Sequence, residues 1–432
     1  MSTTPIRLPA GVRDFLPAAA ARRRGLAEAL LAAFEAWGYA RIITPAFECA
    51  DVLALGLGDD ARAAAIRFVE PGSGEVVALR PDITPQVARL VATRYPEASG
   101  ALRVCYDGAV TRLSADAGPR EILQAGIELF DAEPGAGDAE LIALAMVALR
   151  RAELAQPHLE LGHVAPVRHV LGGLPPDDAA ALREALLRKD RATAARVAAR
   201  APAALAPLAA ALCELWGPAR DVLARAIALP WPEPVSAALA GLAQALADAR
   251  VLLGDDAGVP LSIDLGEVRG FDYYTGLRVA GYAAGAGDAV LRGGRYDELV
   301  GRYGRAARAV GFAVDVEALA EAMPATESAT AAPTTILVLD ADRPRAAAVA
   351  RALRGAGVRV ALEAVSSAPT PGLARRLLAL GVARALVVRP GGAIVAVGPD
   401  GGEVAVAQPG YAAAAAGDAA SLLADLTKGA SA

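Results

Sequence analysis

The sequence predicts an α+β protein, with a mixed core that carries a helical insertion and is followed by a small α/β domain. Three observations predict this. Helical and strand-like hydrophobic patterns are mixed over roughly the first 165 residues, residues 166–258 carry almost only helical patterns, and residues 335–410 alternate between strand and helix. A chain of 432 residues is long for a single core, so two or three domains are expected.

The first part of the core is predicted from hydrophobic spacing and from breaker residues. Leu26, Leu30 and Phe34 recur at helical spacing, and Gly38 ends that helix. Pro85 falls where a helix tolerates proline, in its first turn. In chain order we expect a helix over 19–37, extended segments over 40–47 and 76–79, a helix over 84–95, the two arms of a hairpin at 102–106 and 127–130, and a helix from Asp138.

The later part of the chain predicts the insertion, the end of the core and a second domain. Within the insertion, Asp177 is expected to cap a helix over 179–189. Strand patterns return at 261–280 and 289–293, so the core is assigned to residues 1–325. A Thr, Ser, Ala and Pro stretch over 324–334 predicts a linker, assigned to 326–334. The second domain, 335–410, is expected to be a small parallel α/β unit, and 411–432 a disordered tail.

The composition excludes several classes of protein. The formal net charge is −5, which is a poor overall footprint for a nucleic-acid binder. No transmembrane helix or signal peptide is predicted, because no long apolar run lacks charge. The three cysteines form no CxxC pair, and the histidines His158, His163 and His169 lack partners at metal-ligand spacing. We therefore expect a cytoplasmic protein without a metal, a cofactor or a membrane contact.

The residues with the most hydrogen-bonding chemistry are Arg269 to Gly276, with the sequence RGFDYYTG. They follow a strand pattern at 261–265. Arg269, Tyr273 and Tyr274 offer a cation and two phenols, which suits a pocket for a small polar ligand. The alternative is a strand end with a glycine turn, in which the tyrosines pack as an amphipathic wall.

Three more polar clusters lie at strand ends or hairpins. Asp82 and Thr84 are two residues apart in LRPDIT, although Thr84 could instead cap the following helix. Gln124 and Glu128 are four apart on one predicted strand, so they share a face. The third cluster spans 292–297, where paired glycines indicate a close approach of the backbone or a turn.

Glu128 lies among apolar neighbours, so burial of its carboxylate would require a partner. A cationic ligand is one candidate for that partner, and Arg103 or Arg269 is the internal alternative. Arg112 stands on the rim of the same hairpin, in the loop 112–121.

Taken in order, these motifs resemble the catalytic core of histidyl-tRNA synthetase, a class II aminoacyl-tRNA synthetase. The resemblance covers about residues 5–325 and implies an antiparallel sheet flanked by helices, while 335–410 is similar to a shortened anticodon-binding domain. The motifs that carry it are GVRD at 11–14, GY..I.TP..E at 38–48, LRPDIT at 79–84, QAGIELFDAEPGAGDAE at 124–140, RGFDYYTG at 269–276, GGRYDEL at 293–299 and VGFAVDVEAL at 310–319.

The departures from the synthetase pattern concern ATP. Ser114 stands where the synthetases carry a glutamate that helps to hold ATP, Asp315 replaces a glycine, and Ala318 replaces an arginine that clamps the phosphates. The polar groups that match the amino-acid pocket are kept, apart from the mild change to Asp82. A chain with this combination resembles the regulatory subunits of ATP phosphoribosyltransferase.

That resemblance implies a non-catalytic subunit that acts in the first step of histidine biosynthesis. It implies a partner, the short catalytic subunit, in a hetero-oligomer that contains a homodimer of this chain, with histidine as an allosteric effector and no tRNA. The implied histidine site comprises Asp82, Thr84, Arg112, Gln124, Glu128, Arg269, Tyr273 and Tyr274. An active histidine–tRNA ligase and a stand-alone histidine sensor remain the alternatives.

Overall fold

A computed structural model describes most of the chain. Ser114, the predicted linker 326–334 and the predicted tail 411–432 lie outside the described residues. The structure describes residues 7–95, 100–113, 118–254, 258–270, 273–323, 336–340, 343–355, 357–364, 373, 375, 377, 384–389, 394–398 and 402–406.

The chain divides into two compact units. The first consists of Met1–Asp14 and Arg23–Pro324, and the second of Phe15–Arg22 and Ala325–Ala432, in both cases as far as these residues are described. Before the insertion the chain forms α1 (Pro17–Ala36), which belongs to the first unit from Arg23 onward, and then β1 (Ala40–Arg41), β2 (Phe47–Cys49), α2 (Ala50–Ala54), α3 (Asp59–Ala64), β3 (Arg67–Val69), β4 (Val76–Leu79), α4 (Thr84–Arg94), β5 (Leu102–Thr111), β6 (Glu121–Phe130), α5 (Pro134–Arg151) and β7 (His158–His163).

The insertion and the end of the first unit follow. They comprise α6 (Val164–Gly172), α7 (Pro176–Arg188), α8 (Arg191–Ala198), α9 (Ala206–Leu212), β8 (Trp216–Pro218), α10 (Ala219–Ile227), α11 (Glu233–Leu253), β9 (Leu261–Asp264), β10 (Leu277–Tyr282), β11 (Leu291–Arg295), β12 (Ala309–Asp315) and α12 (Val316–Ala322).

A nine-stranded sheet organises the first unit, in the order β1-β5-β6-β12-β11-β10-β7-β9-β8. The six strands from β5 to β7 in this order pair antiparallel, while β1 and β9 join them by parallel pairing. The predicted hairpin is confirmed and is longer than expected, since its arms β5 and β6 pair from Leu102–Phe130 to Thr111–Glu121. The prediction of an α+β fold with an antiparallel sheet flanked by helices is therefore confirmed.

The insertion is helical, as expected, apart from the short edge strand β8. The expectation that Asp177 caps α7 is wrong, because α7 begins at Pro176 and Asp177 lies in its first turn. By length and composition alone, α11 could cross a membrane. Its buried residues recur on one face at helical spacing, from Val235 and Leu239 to Ala249, which is the pattern of a core helix in a soluble protein.

The second unit contains a five-stranded sheet in the order β14-β13-β15-β16-β17. Its elements are β13 (Ile336–Asp340), α13 (Arg343–Gly355), β14 (Val360–Ala364), β15 (Arg384–Val388), β16 (Ile394–Val397) and β17 (Glu403–Val406). The expected parallel pairing holds for β13 with β14 and β15, whereas β15, β16 and β17 pair antiparallel. The alternating pattern of 335–410 also predicts a helix over 372–380, and most of that segment lies outside the described residues.

Candidate functional site

A cavity of about 700 Å³ opens on the central sheet of the first unit. Its floor is formed by β6, β12 and β11, which are neighbours in the sheet, and one wall by Tyr273 and Tyr274. The segment 56–62, which includes the start of α3, lines it from another side. The cavity is large enough for a small polar ligand and its solvation.

Six of the eight predicted site residues line this cavity. Asp82 and Thr84 come from the entry to α4, Arg112 from the end of the hairpin, and Gln124 from β6. Tyr273 and Tyr274 complete the set. Thr84 does not cap α4, because α4 begins at Thr84 itself and Ile83 occupies the cap position without a side-chain hydrogen bond.

Glu128 lies beneath the floor and is fully buried. The Tyr106 hydroxyl donates to its Oε1 at 3.2 Å, and the Tyr296 hydroxyl donates to its Oε2. The Thr84 side chain acts on Glu128 as well and lowers the pKa of its carboxyl, against the effect of burial. Burial raises the pKa of Glu128 well above its usual range, so the neutral acid is favoured in the empty pocket. Hydroxyl groups, and not an arginine, are thus its partners inside the protein.

The two arginines considered as internal partners of Glu128 are engaged elsewhere. Arg103 forms a bidentate pair with Glu140, with both contacts at 2.7 Å. Arg269 is two-thirds exposed and pairs with Glu267 at 3.2 Å. Arg269 is not among the residues that line the cavity. The structure therefore does not bring Arg269 to the other predicted site residues.

Two buried polar atoms at the cavity have no hydrogen-bond partner among the residues that the structure describes. They are Oε1 of Gln124 and the hydroxyl oxygen of Tyr273. A buried polar group without a partner costs about 1–3 kcal/mol. Such atoms call for a partner that the described residues do not supply, and a ligand with polar groups would provide one.

The electrostatics of the cavity keep the phenols neutral. Burial raises the pKa of Tyr274 to about 12, although Arg278 opposes the shift, and burial also raises the pKa of Tyr273 well above its usual value. Burial also raises the pKa of the Asp82 carboxyl, against the effect of the Ile83 amide and the Arg112 guanidinium. The site thus offers neutral phenol donors together with carboxyl groups whose ionised form a ligand cation would stabilise.

Glycine is required in the floor because Glu128 and Gly311 face each other across β6 and β12. A Cβ atom at position 311 would lie 1.7 Å from Oε2 of Glu128 and 2.5 Å from the carbonyl oxygen of Ile127. Gly293 on β11 has a similar role, since a Cβ there would lie 2.3 Å from the carbonyl oxygen of Gly311. The close backbone approach expected at the paired glycines is therefore confirmed.

We expect Gly311→Ala to lower the free energy of unfolding by about 3 kcal/mol or more, because the added methyl group overlaps a buried carboxyl and backbone. Gly301→Ala is the matched control, since nothing lies within 4 Å of its Cβ position. Urea unfolding of both variants measures the difference. Equal stabilities would contradict the close packing at position 311.

Several residues at the site were not predicted. Tyr106 and Tyr296, which hold Glu128, were missed, although Tyr296 falls inside the cluster 292–297. Side chains alternate between the two faces of β5, so Tyr106 shares a face with Gly108, two residues later. This alternation is the signal that could have placed Tyr106 beside the pocket. The segment 56–62 carries no distinctive pattern beyond Gly56, Gly58 and two aspartates.

Asp315, one of the positions that depart from the synthetase pattern, lies at the cavity. Asp315 lines it and caps α12 by accepting from the Ala318 amide at 2.9 Å. Ala318 itself is part of α12 and offers no charged group. Glu317, between them, is buried and held by Arg13 and Arg23.

Comparisons with known proteins show the family to which the chain belongs. The family model described as histidyl-tRNA synthetase matches residues 11–319. The protein of Anaeromyxobacter dehalogenans strain 2CP-1 named ATP phosphoribosyltransferase regulatory subunit is 46% identical over 325 residues, which are 74% of this chain and 91% of that protein. The chain belongs to the family of ATP phosphoribosyltransferase regulatory subunits. A Geobacter sulfurreducens protein of the same name is 39% identical over 375 residues, 84% of each chain.

Solved structures show the same fold. A Bacillus halodurans structure titled as an ATP phosphoribosyltransferase regulatory subunit/histidyl-tRNA synthetase matches with a TM-score of 0.76 and 27% identity, over 89% of this chain and 99% of that one. Histidyl-tRNA synthetase from Nostoc sp. PCC 7120 matches with a TM-score of 0.75 at 18% identity, over 96% and 99%. Membership of the regulatory-subunit family identifies the chain as a non-catalytic subunit with a class II synthetase-like fold.

Proposed function

We propose that this regulatory subunit binds histidine in the cavity on the central sheet and assembles with the catalytic subunit of ATP phosphoribosyltransferase. It supports the activity of that subunit in histidine biosynthesis and makes it sensitive to histidine. The observation that carries the proposal is a pair of buried atoms, Oε1 of Gln124 and the Tyr273 hydroxyl, that have no partner among the described residues and belong to the cavity that Asp82 and Arg112 also line.

The cavity offers a complementary group for each part of a histidine zwitterion. Asp82 accepts from the α-ammonium group and Arg112 pairs with the carboxylate. Gln124 Oε1 accepts a hydrogen bond from the ligand, and Tyr273 and Tyr274 form the wall against which the ring lies. Glu128 is one layer deeper, beside Gly311, where it stabilises a ligand cation directly or through Thr84 and Tyr296.

As the partner of the ligand carboxylate, Arg112 fits the structure better than Arg269, the other arginine predicted at the site. Arg112 lines the cavity, and its guanidinium makes no hydrogen bond or ion pair with the described residues. Arg269 is turned towards Glu267. A role for Arg269 at the carboxylate would require that pair to break, so the geometry favours Arg112.

The assembly with a catalytic partner follows from what the relatives are called. The relatives are named as regulatory subunits, and a regulatory subunit requires a second, catalytic chain. Histidine then acts by binding one arrangement of the assembly more tightly than another, and the coupling is reciprocal, so that the catalytic state also changes histidine affinity. We also propose that this chain forms a homodimer within the assembly.

Tyr273→Phe tests the ligand contact directly. We expect histidine affinity to fall about tenfold, the effect of one lost hydrogen bond, in isothermal titration calorimetry. The unliganded variant is expected to be at least as stable as the parent, because it no longer buries a hydroxyl without a partner.

The control for this test is Tyr282→Phe, on β10 and outside the cavity, which should leave histidine affinity unchanged. A parent protein that shows no saturable histidine binding would overturn the proposed function. Unchanged affinity in Tyr273→Phe would remove Tyr273 from the ligand site.

A further inference from the structure

Arg112 differs from the other arginines that line the cavity in having no partner for its guanidinium among the described residues. Three other lining arginines are held by the protein itself: Arg62 by the carbonyl of Ala54, Arg302 by that of Leu55, and Arg292 by Asp288. Arg183 also has an interaction of its own. Within the described part of the chain, Arg112 is the lining arginine whose guanidinium remains available to a ligand.

Arg112 acts electrostatically on two carboxyl groups, Asp82 and Asp315. Asp315 ends β12 directly opposite Gln124, so it stands at the cavity floor beside the proposed ligand site. Its position is fixed, because Oδ1 accepts from the Ala318 amide at 2.9 Å. Burial raises the pKa of Asp315, while the Ala318 amide and Arg112 act in the opposite direction.

One available cation between two carboxylates suits a zwitterion and disfavours a polyanion. A ligand with one carboxylate pairs with Arg112 and places its ammonium group at Asp82. A polyphosphate would place several negative charges beside Asp315, which repels them in a half-buried site of reduced dielectric. Size cannot provide this selection, because about 700 Å³ leaves room well beyond a single amino acid.

We infer that Asp315 is a specificity-determining residue, which restricts the cavity to zwitterionic ligands and excludes polyphosphates such as ATP. The inference rests on the proposed function of the same cavity. Exclusion of ATP is a property that the proposed function requires. The assembled enzyme uses ATP as a substrate, so the regulatory pocket must respond to histidine while ATP is present.

The experiment compares ATP binding to the full chain and to Asp315→Asn. Asparagine keeps the cap on α12, because it is as good a capping residue as aspartate, and removes only the charge. We expect Asp315→Asn to bind ATP about tenfold or more tightly than the parent, in competition with histidine. Glu321→Gln, an exposed change on α12 outside the cavity, should leave ATP binding as in the parent.

Equal ATP affinity of the parent and Asp315→Asn would overturn the inference, and so would a parent protein that already binds ATP in competition with histidine. If Asp315→Asn fails to fold, Asp315→Ser carries the same test, since its hydroxyl retains the cap without charge. Histidine titration of the same samples reads the proposed function separately. A parent that does not bind histidine would refute that function, whereas the ATP comparison concerns only Asp315.

Discussion

Glu128→Gln is expected to weaken histidine binding by about 10–100-fold while leaving the fold almost unchanged at neutral pH. Glutamine has the shape of the neutral acid that burial favours in the empty pocket, so its oxygen can accept from one of the Tyr106 and Tyr296 hydroxyls while its amide nitrogen donates to the other. Glutamine cannot ionise, so it cannot supply the negative charge that Glu128 would carry beside a bound ligand cation. Calorimetry with histidine, together with urea unfolding, measures both effects.

Alanine at position 128 should be worse in both respects. Glu128→Ala is expected to abolish measurable histidine binding and to lower the free energy of unfolding by about 3 kcal/mol or more. It leaves two buried tyrosine hydroxyls without a partner and opens a void. Glu121→Gln is the matched control, at the exposed start of the same strand β6. Parental histidine affinity in Glu128→Gln would remove Glu128 from the ligand site.

The pH dependence of stability provides an independent check on Glu128. Its pKa is raised in the folded protein, so the folded state holds a proton that the unfolded chain releases above its own pKa of about 4.3. The stability contributed by this proton is complete at lower pH and is lost as the pH rises towards the folded-state pKa. Glu128→Gln lacks this loss. Its stability relative to the parent should therefore increase with pH above about 4.3.

The second large effect is on the catalytic partner. We expect the short catalytic subunit of ATP phosphoribosyltransferase to show at least about tenfold higher activity when this chain is added in stoichiometric amount. Histidine should then inhibit the assembled enzyme, through a coupling in the ordinary allosteric range of about 5–150-fold. Activity measured with and without this chain, over a series of histidine concentrations, tests both expectations.

The control for this assay is Glu128→Gln. The variant should still activate the catalytic subunit, because the change is internal to the pocket, but inhibition should require about 10–100-fold more histidine. A catalytic subunit that is equally active alone would refute the proposed partnership. Activation without any response to histidine would refute histidine as the effector and leave the assembly intact.

Much of the fold could be predicted from local patterns. The strand at 76–79 and the helix that ends before Gly38 depend on neighbours a few residues away, and both predictions agree with the structure. The errors arose where longer-range packing chooses between local options. Asp177 has the side chain of a cap, yet the helix begins one residue earlier, at Pro176.

The candidate site shows the same division. Gln124 and Glu128 could be placed on one face from their even spacing along a strand. The different depths of Gln124 and Glu128 could not be predicted in this way. Depth depends on β12, which is adjacent to β6 in space but remote from it in the chain. Gly311, opposite Glu128, leaves room for its carboxyl beneath the floor, whereas Gln124 and Asp315, which face each other, both line the cavity.

By itself the sequence determined the family, the antiparallel class of the core and most of the polar residues that meet at the cavity. These properties are carried by short motifs, whose chemistry and order are local to the chain. Only the tertiary structure decided that Glu128 is held by Tyr106 and Tyr296, that Arg112 faces the cavity while Arg269 turns to Glu267, and that Asp315 stands beside the ligand site. The physical reason is that burial and charge pairing depend on which strands become neighbours, and sheet order does not follow chain order.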